Sequence, residues 1–185
     1  MSEEDLEELK ESAEHGREQR GLAPVSLTMA VLAVLVAISG LLGHRSHTEE
    51  TVLQNRATDQ WAFYQAKHNR RTLDEHEVKH IQLELTQPQA PNRELAAEQA
   101  KEFQAEVDRY ASEEKDISEK ARELEAEVDL AGRRADRFDL GEALLEIALV
   151  ITSITLLTRR RAFWYSGIVV GALGAAAAAS AFLVH

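Results

Sequence analysis

The chain has 185 residues, 29% of them charged, and a formal net charge of −11, yet residues 23–43 and 162–185 contain no Asp, Glu, Lys or Arg. Two such uncharged blocks exclude a simple water-soluble globular domain, and the surplus of acid argues against nucleic acid as a partner, because phosphate binding requires clustered Lys and Arg. There are no cysteines, which excludes disulfides, thiolate metal sites and Cys nucleophiles.

Residues 1–22 carry eight acids and read as an acidic N-terminal tail or short helix. Ser2 suits an N-cap, Glu3, Glu4 and Asp5 suit the positive helix end, and Gly16 and Gly21 are expected to punctuate its exit. A solvated tail is an equally good reading. Residues 23–43 follow as the first apolar block. The twenty residues from Pro24 to Gly43, at ~1.5 Å per residue, cover the ~30 Å of a bilayer's hydrocarbon layer. The tail before it has Lys10, Arg17 and Arg20 against eight acids. That is the wrong sign for a signal peptide, so the block is read as an uncleaved anchor. Ser26, Ala30, Ala33, Ala37 and Gly40 line one face of it, small enough for another helix to approach closely.

Residues 44–138 hold 15 Lys+Arg against 21 Asp+Glu and are too polar to enter lipid. The only strong breaker is Pro88-Gln-Ala-Pro91-Asn92, which predicts a turn at 88–92 with Asn92 as an N-cap. Nearly equal arms on either side predict an extramembrane helical hairpin. On the return arm, alternate steps of four and three from Ala96 pass through Phe103, Val107, Tyr110, Glu114, Ile117, Leu124 and Val128 and end at Phe138. Twelve of these thirteen positions are apolar and Glu114 is the single fault. This is a coiled-coil seam. The outgoing arm repeats the spacing through Leu53, Ala57, Trp61, Tyr64, His68, Arg71, Glu75, Val78, Gln82 and Leu85, but its middle is polar. Trp61, Tyr64 and Lys67 form a stripe whose ordinary use is hairpin packing, with Lys67 paired to an acid of the return arm. His76-Glu77-Val78-Lys79-His80 spells H-E-x-x-H, a zinc-peptidase string. The charged Lys79 inside it, the lack of a signposted third ligand and the absence of a dry cleft all favour a chance occurrence on a polar helix.

Residues 139–158 form the second apolar block and residues 162–184 the third, separated by Arg159–Arg161, so the two make a tight helical hairpin. Trp164 and Tyr165 suit a membrane–water interface. Glu142 and Glu146 share a face of the second block. Glu142 is expected at the interface, and Glu146 deeper, bonding Ser39, Thr28 or a neighbouring copy. Gly167, Gly171, Ala175 and Ala179 step by four along the third block as a second small face. The arginines before the third block and their absence after it favour an inside N-terminus with the stalk outside, although Arg133, Arg134 and Arg137 pull the other way.

The segments QNRATDQWAFYQAKHNRR (54–71) and FDLGEALLEIALVITSITLLTRRRAFWY (138–165) resemble the family catalogued as domain of unknown function 4337. The Trp61-x-x-Tyr64-Gln65-Ala66-Lys67 string is the most specific part, supported by the Leu-Leu-Thr-Arg-Arg-Arg exit from the second block. The resemblance implies a small multi-span protein of the bacterial inner (plasma) membrane and supplies no reaction, ligand or catalytic residue.

The reading is an all-α integral membrane protein with three transmembrane helices and a long antiparallel coiled-coil hairpin between the first and second. The expected role is non-enzymatic: a scaffold, adaptor or self-assembling protein without cofactor. Its partners would be the bilayer, further copies of itself and another protein met through the stalk. The alternative is an oligomeric ion or proton conductor using Glu146. A zinc peptidase through His76, Glu77 and His80 is the third reading.

Overall fold

The computed structural model describes the backbone of residues 3–87 and 92–184, with side chains from Leu22 onward. Three helices account for nearly all of it: α1 Glu3–Leu85, α2 Arg93–Thr158 and α3 Arg161–Ser180, the last continued by one 3₁₀ turn, Ala181–Leu183. No strand occurs among the described residues. Each helix contains a stretch long and apolar enough to cross a membrane. Gly16 and Gly21 do not end the first helix, which corrects the expected break there. Neither has positive φ, and an isolated Gly costs a helix only ~1 kcal/mol. Pro24 also lies inside α1. Thr28 Oγ1 donates back to its carbonyl oxygen at 2.8 Å. The expected Ser2 cap and Pro88–Pro91 lie outside the described residues.

The contacts divide the chain into two units: residues 1–48 with 130–185, and residues 49–129. In the first unit the α1 and α2 segments run antiparallel. Leu32 packs with Leu145 and Ala148, with Val36, Leu149 and Ala175 among the half-buried surroundings. At the other end of the pair His47 Nε2 lies 2.9 Å from Asp139 Oδ2. The α2 and α3 segments also run antiparallel and approach very closely. A Cβ placed on Gly141 would lie 2.7 Å from the Ala178 backbone nitrogen, and one on Gly174 3.0 Å from the Gly141 carbonyl oxygen. A second cluster joins Phe138, Ala178 and Ala181 beside Leu42, and Phe138 meets Phe182 edge-on at 5.5 Å. Arg134 Nη2 donates to the Val184 carbonyl oxygen at 3.3 Å, satisfying an acceptor past the last turn.

α2 ends in a two-residue turn. Arg159 takes a left-handed conformation, φ 55, and its N–H returns to the Thr155 carbonyl oxygen at 2.8 Å. That is the position where a helix end usually places Gly, because a Cβ is strained there. Arg160 is extended and precedes α3 with no side-chain cap.

In the second unit, residues 49–85 and 93–129 pair antiparallel. Val107, Tyr110, Glu114, Ile117, Ala121 and Val128 are buried at the expected spacing of three and four, with Phe103 and Leu124 half-buried. Ala57, Val78 and Ile81 answer from the other arm. Ile81 takes the place expected of Gln82, which is exposed. A 3.6-residue helix drifts against a strict seven-residue repeat, so the register moves by one position near the arm's end. At the turn, Arg93 Nη2 donates to the carbonyl oxygens of Leu85 (3.2 Å) and Gln87 (2.7 Å), tying the start of α2 to the end of α1. Asn92 has φ 52, a left-handed conformation that Asn tolerates better than most residues.

Candidate functional site

The middle of the second unit holds a polar layer where both arms are least apolar. Glu114 sits in the seam with its side chain 7% exposed, and Arg71 Nε reaches its Oε1 at 3.1 Å from the opposite arm. The N–H is not aimed along this contact, so both atoms lack a hydrogen-bond partner and the interaction is an ion pair. His68 Nδ1 lies 3.4 Å from Glu114 Oε2 and 3.3 Å from Arg71 Nη2. His68 stacks on Tyr64 at 5.9 Å, and Tyr64 meets Trp61 edge-on at 5.6 Å. The single fault of one arm and the polar stretch of the other therefore face each other. A buried carboxylate left alone would carry a large desolvation cost, which the guanidinium offsets.

Lys67 flanks this layer. Its Nζ lies 2.6 Å from Glu113 Oε2 and sits over the rings of Tyr110 (4.9 Å) and Phe63 (5.6 Å). The hydrogen bond from Lys67 holds the Glu113 carboxyl below its ordinary value, aided by the positive charges of Lys67 and Arg109, while desolvation opposes the shift. Trp61 Nε1 donates to Glu125 Oε1 at 2.8 Å. Glu113, Glu114 and Glu125 are the partners that sequence reasoning left unnamed. One signal pointed to Glu114: it is the single polar fault of its arm, and the polar middle of the other arm is its natural counterpart.

In the first unit the two acids separate. Glu142 is half-buried, and its carboxylate lies against Gly40 of α1, in space that any Cβ there would occupy. Glu146 is exposed on the far side of α2, beside exposed Ile147 and Val150. Among the described residues no hydrogen bond or ion pair reaches it. The expected bond to Ser39 or Thr28 within the chain is thereby corrected. The four-residue step overshoots a full turn by ~40° and takes Glu146 off the side that faces α1, and Thr28 instead accepts a hydrogen bond from Trp164 Nε1 at 3.0 Å.

The small faces also separate. Gly167 and Gly171 are buried and Ala175 is half-buried against the core, but Ala179 is exposed and Gly174 and Ala178 are buried instead. Steps of four overshoot a helical face by ~40° each, so the true face alternates four and three. On α1, Ser26, Ala30, Ala33 and Ala37 are exposed and only Gly40 is half-buried. Within the chain this small face is therefore mostly uncovered. Large residues at Val25 and Leu32, with Ser39, are buried instead. Beside the exposed face, Ala30, Val31, Val34 and Leu35 line a shallow apolar groove of ≈ 270 Å³.

His76, Glu77 and His80 are exposed. Among the described residues no group of three His, Cys, Asp or Glu is placed to hold a metal ion.

Comparison with known proteins returned no match among curated proteins and none among solved structures. One family profile, described as a domain of unknown function (DUF4337), matches residues 21–184, covering both units and leaving out only the acidic N-terminal residues and His185. The chain belongs to the family of domain of unknown function 4337.

Proposed function

We propose that the three apolar segments cross a bilayer and that residues 49–129 form an antiparallel coiled coil held in water, so that the protein is a membrane-anchored, non-enzymatic scaffold or adaptor. The observation that carries this reading is the contrast between the two surfaces. The first unit exposes Leu27, Val31, Val34, Ile38, Leu41, Val150, Leu157, Val169 and Leu173. Apolar surface on that scale needs a lipid or protein cover. The second unit exposes mainly charged and other polar residues around a packed seam, with only scattered apolar side chains such as Leu73 and Leu83 among them. A paired-helix rod offers reach and a graded series of contact positions, which is what partner selection requires.

Self-association is part of the proposal. An ionised acid facing hydrocarbon is costly, about 3 kcal/mol for Asp at a helix centre on insertion scales. A neighbouring copy that brings a donor to Glu146 removes that cost, and the open small-residue face of α1 offers close approach. In a bacterial cell the setting would be the inner membrane.

The chain has no native cysteine, which makes the test direct. Single substitutions Ile38→Cys and Val169→Cys should resist a water-soluble thiol reagent in membranes, while Glu119→Cys should react at once. Crosslinking through Glu119→Cys in intact cells should capture a second copy or a defined protein. Ready reaction at positions 38 and 169, or recovery of the chain in the soluble fraction, removes the membrane reading.

Conduction through Glu146 is the second reading, favoured by that residue's exposure in an apolar segment. Liposome flux abolished by Glu146→Gln would support it over the scaffold.

A further inference from the structure

At one end of the apolar unit an open cavity of ≈ 320 Å³ lies between the start of the first apolar segment and the α2–α3 turn. One wall is apolar: Leu22, Pro24, Val25 and the Trp164 ring. That ring is fixed in place, because its N–H is already donated to Thr28. The other side is polar and carries Thr155, Arg159 and Arg161. No acid is among the described lining residues.

Three features of the polar side favour an anion. Thr155 is 1% exposed, and its Oγ1 has no hydrogen-bond partner among the described residues. A buried hydroxyl in that state is unfavourable unless a ligand supplies the partner. Arg161 opens the 20-residue helix α3, whose first turn has no acid and whose N-cap residue makes no side-chain bond. The Phe163 N–H turns back to the Arg160 carbonyl oxygen at 3.2 Å, so the N–H groups of Arg161 and Ala162 and the positive end of the dipole are what an external anion would meet. Arg159, at φ 55, holds a conformation that Gly adopts without strain, and strain retained at a turn is characteristic of functional positions. Arg159 also lines the cavity, where it already has an interaction within the chain, and guanidinium forks match phosphate oxygens.

We propose that this cavity binds the phosphate of an anionic phospholipid headgroup, with Arg159, Arg161, Thr155 and the α3 N-terminus around the phosphate and the apolar wall against the glycerol and upper acyl chain. The inference rests on the membrane reading above. A free phosphate compound shares the polar chemistry but makes no use of the apolar wall.

The test uses the full chain in nanodiscs of phosphatidylcholine containing a minor fraction of phosphatidylglycerol. Trp61→Phe leaves Trp164 as the sole tryptophan, and quenching of its selectively excited emission by brominated phosphatidylglycerol is compared with quenching by brominated phosphatidylcholine at equal fraction. The expected result is local enrichment of phosphatidylglycerol by about fivefold or more, the scale of one Arg at an anionic surface. Arg161→Gln alone should reduce the preference and Arg159→Gly/Arg161→Gln should abolish it, with helical circular dichroism unchanged. Thr155→Val should weaken it, and Arg133→Gln should leave it intact. Arg159→Gly separates charge from backbone, because Gly suits the turn. Equal quenching by both lipids, or a preference that survives the double variant, overturns the proposal. Loss of the preference on adding millimolar inorganic phosphate at constant ionic strength assigns the site to a soluble phosphate and overturns the lipid. Discs that exclude the protein overturn the membrane reading, and the site with it; discs that take it up without preference overturn the site alone.

Discussion

The two units pack by opposite means. Residues 49–129 bury bulk: Val78, Ile81, Val107, Tyr110 and Ile117 fill the space between the arms. The apolar unit removes bulk: Gly141, Gly167 and Gly174 bring α2 and α3 nearly into backbone contact, and Gly171 makes room for the Leu32 side chain of α1. The membrane setting proposed above accounts for the difference. In water, each large side chain taken from solvent stabilises by about 1.5–3 kcal/mol. Among lipid tails that driving force vanishes, and helices associate through dispersion contacts that only close approach maximises. Polar groups follow the same division. The second unit places an ion pair inside its seam, whereas the apolar unit leaves Glu146 exposed on its outer surface.

The sharpest way to break this comparison is Gly141→Leu. Its side chain would have to displace the Ala178 backbone at 2.7–2.9 Å, so the α2–α3 contact should be lost at a cost of about 3 kcal/mol or more. Unfolding in detergent followed by circular dichroism measures it. Gly43→Ala is the counterpart and should be nearly neutral, since its nearest neighbours are the Asp139 and Phe138 side chains at 3.0 and 3.4 Å. Equal stability of Gly141→Leu and the parent would mean that close approach does not hold α3.

The hairpin has its own test in the polar layer. Glu114→Ala leaves Arg71 without its seam partner and should destabilise by about 2 kcal/mol, less than a fully buried pair because Arg71 is 26% exposed. Arg71→Leu/Glu114→Leu should recover that loss or exceed it, since apolar side chains replace a desolvated pair without its cost. Hydrogen exchange across residues 60–75 and 107–120 reports the effect locally. A double variant as unstable as the single would show that the pair has a role beyond local stability.

Trp61→Phe should cost about 1 kcal/mol, the usual worth of one hydrogen bond, here the indole bond to Glu125. Thermal melts of Trp61→Phe, Glu125→Gln and the combination separate that bond from the ring's packing, and additive losses would count against a direct link.

The smallest effect is a pH dependence. Glu113 has a folded-state value below its ordinary 4.5. Its contribution is therefore complete at neutral pH and fades as the pH falls from about 4.5 through the lower folded value. Stability should decline more steeply in that interval for the parent than for Glu113→Gln or Lys67→Met. Identical slopes would show that the Lys67–Glu113 contact is too solvent-screened to matter.

Patterning along the chain determined the all-helical class, the apolar segments and the three-four burial of the return arm, because charge-free length and three-four spacing are local properties tied to the helix's pitch; that tail, first apolar block and outgoing arm form one continuous helix was not legible in it. It also marked Glu114 as anomalous. Pairing was not local. Only the tertiary structure decided that Arg71 answers Glu114, that Glu142 rather than Glu146 meets α1, and that Gly141 and Gly174 rather than Ala30 and Ala33 form a close contact within the chain. Which of several similar faces turns inward depends on the rotation of one helix against another. That rotation is set by all the contacts at once, and a shift of one residue, ~100° of turn, exchanges a buried side chain for an exposed one.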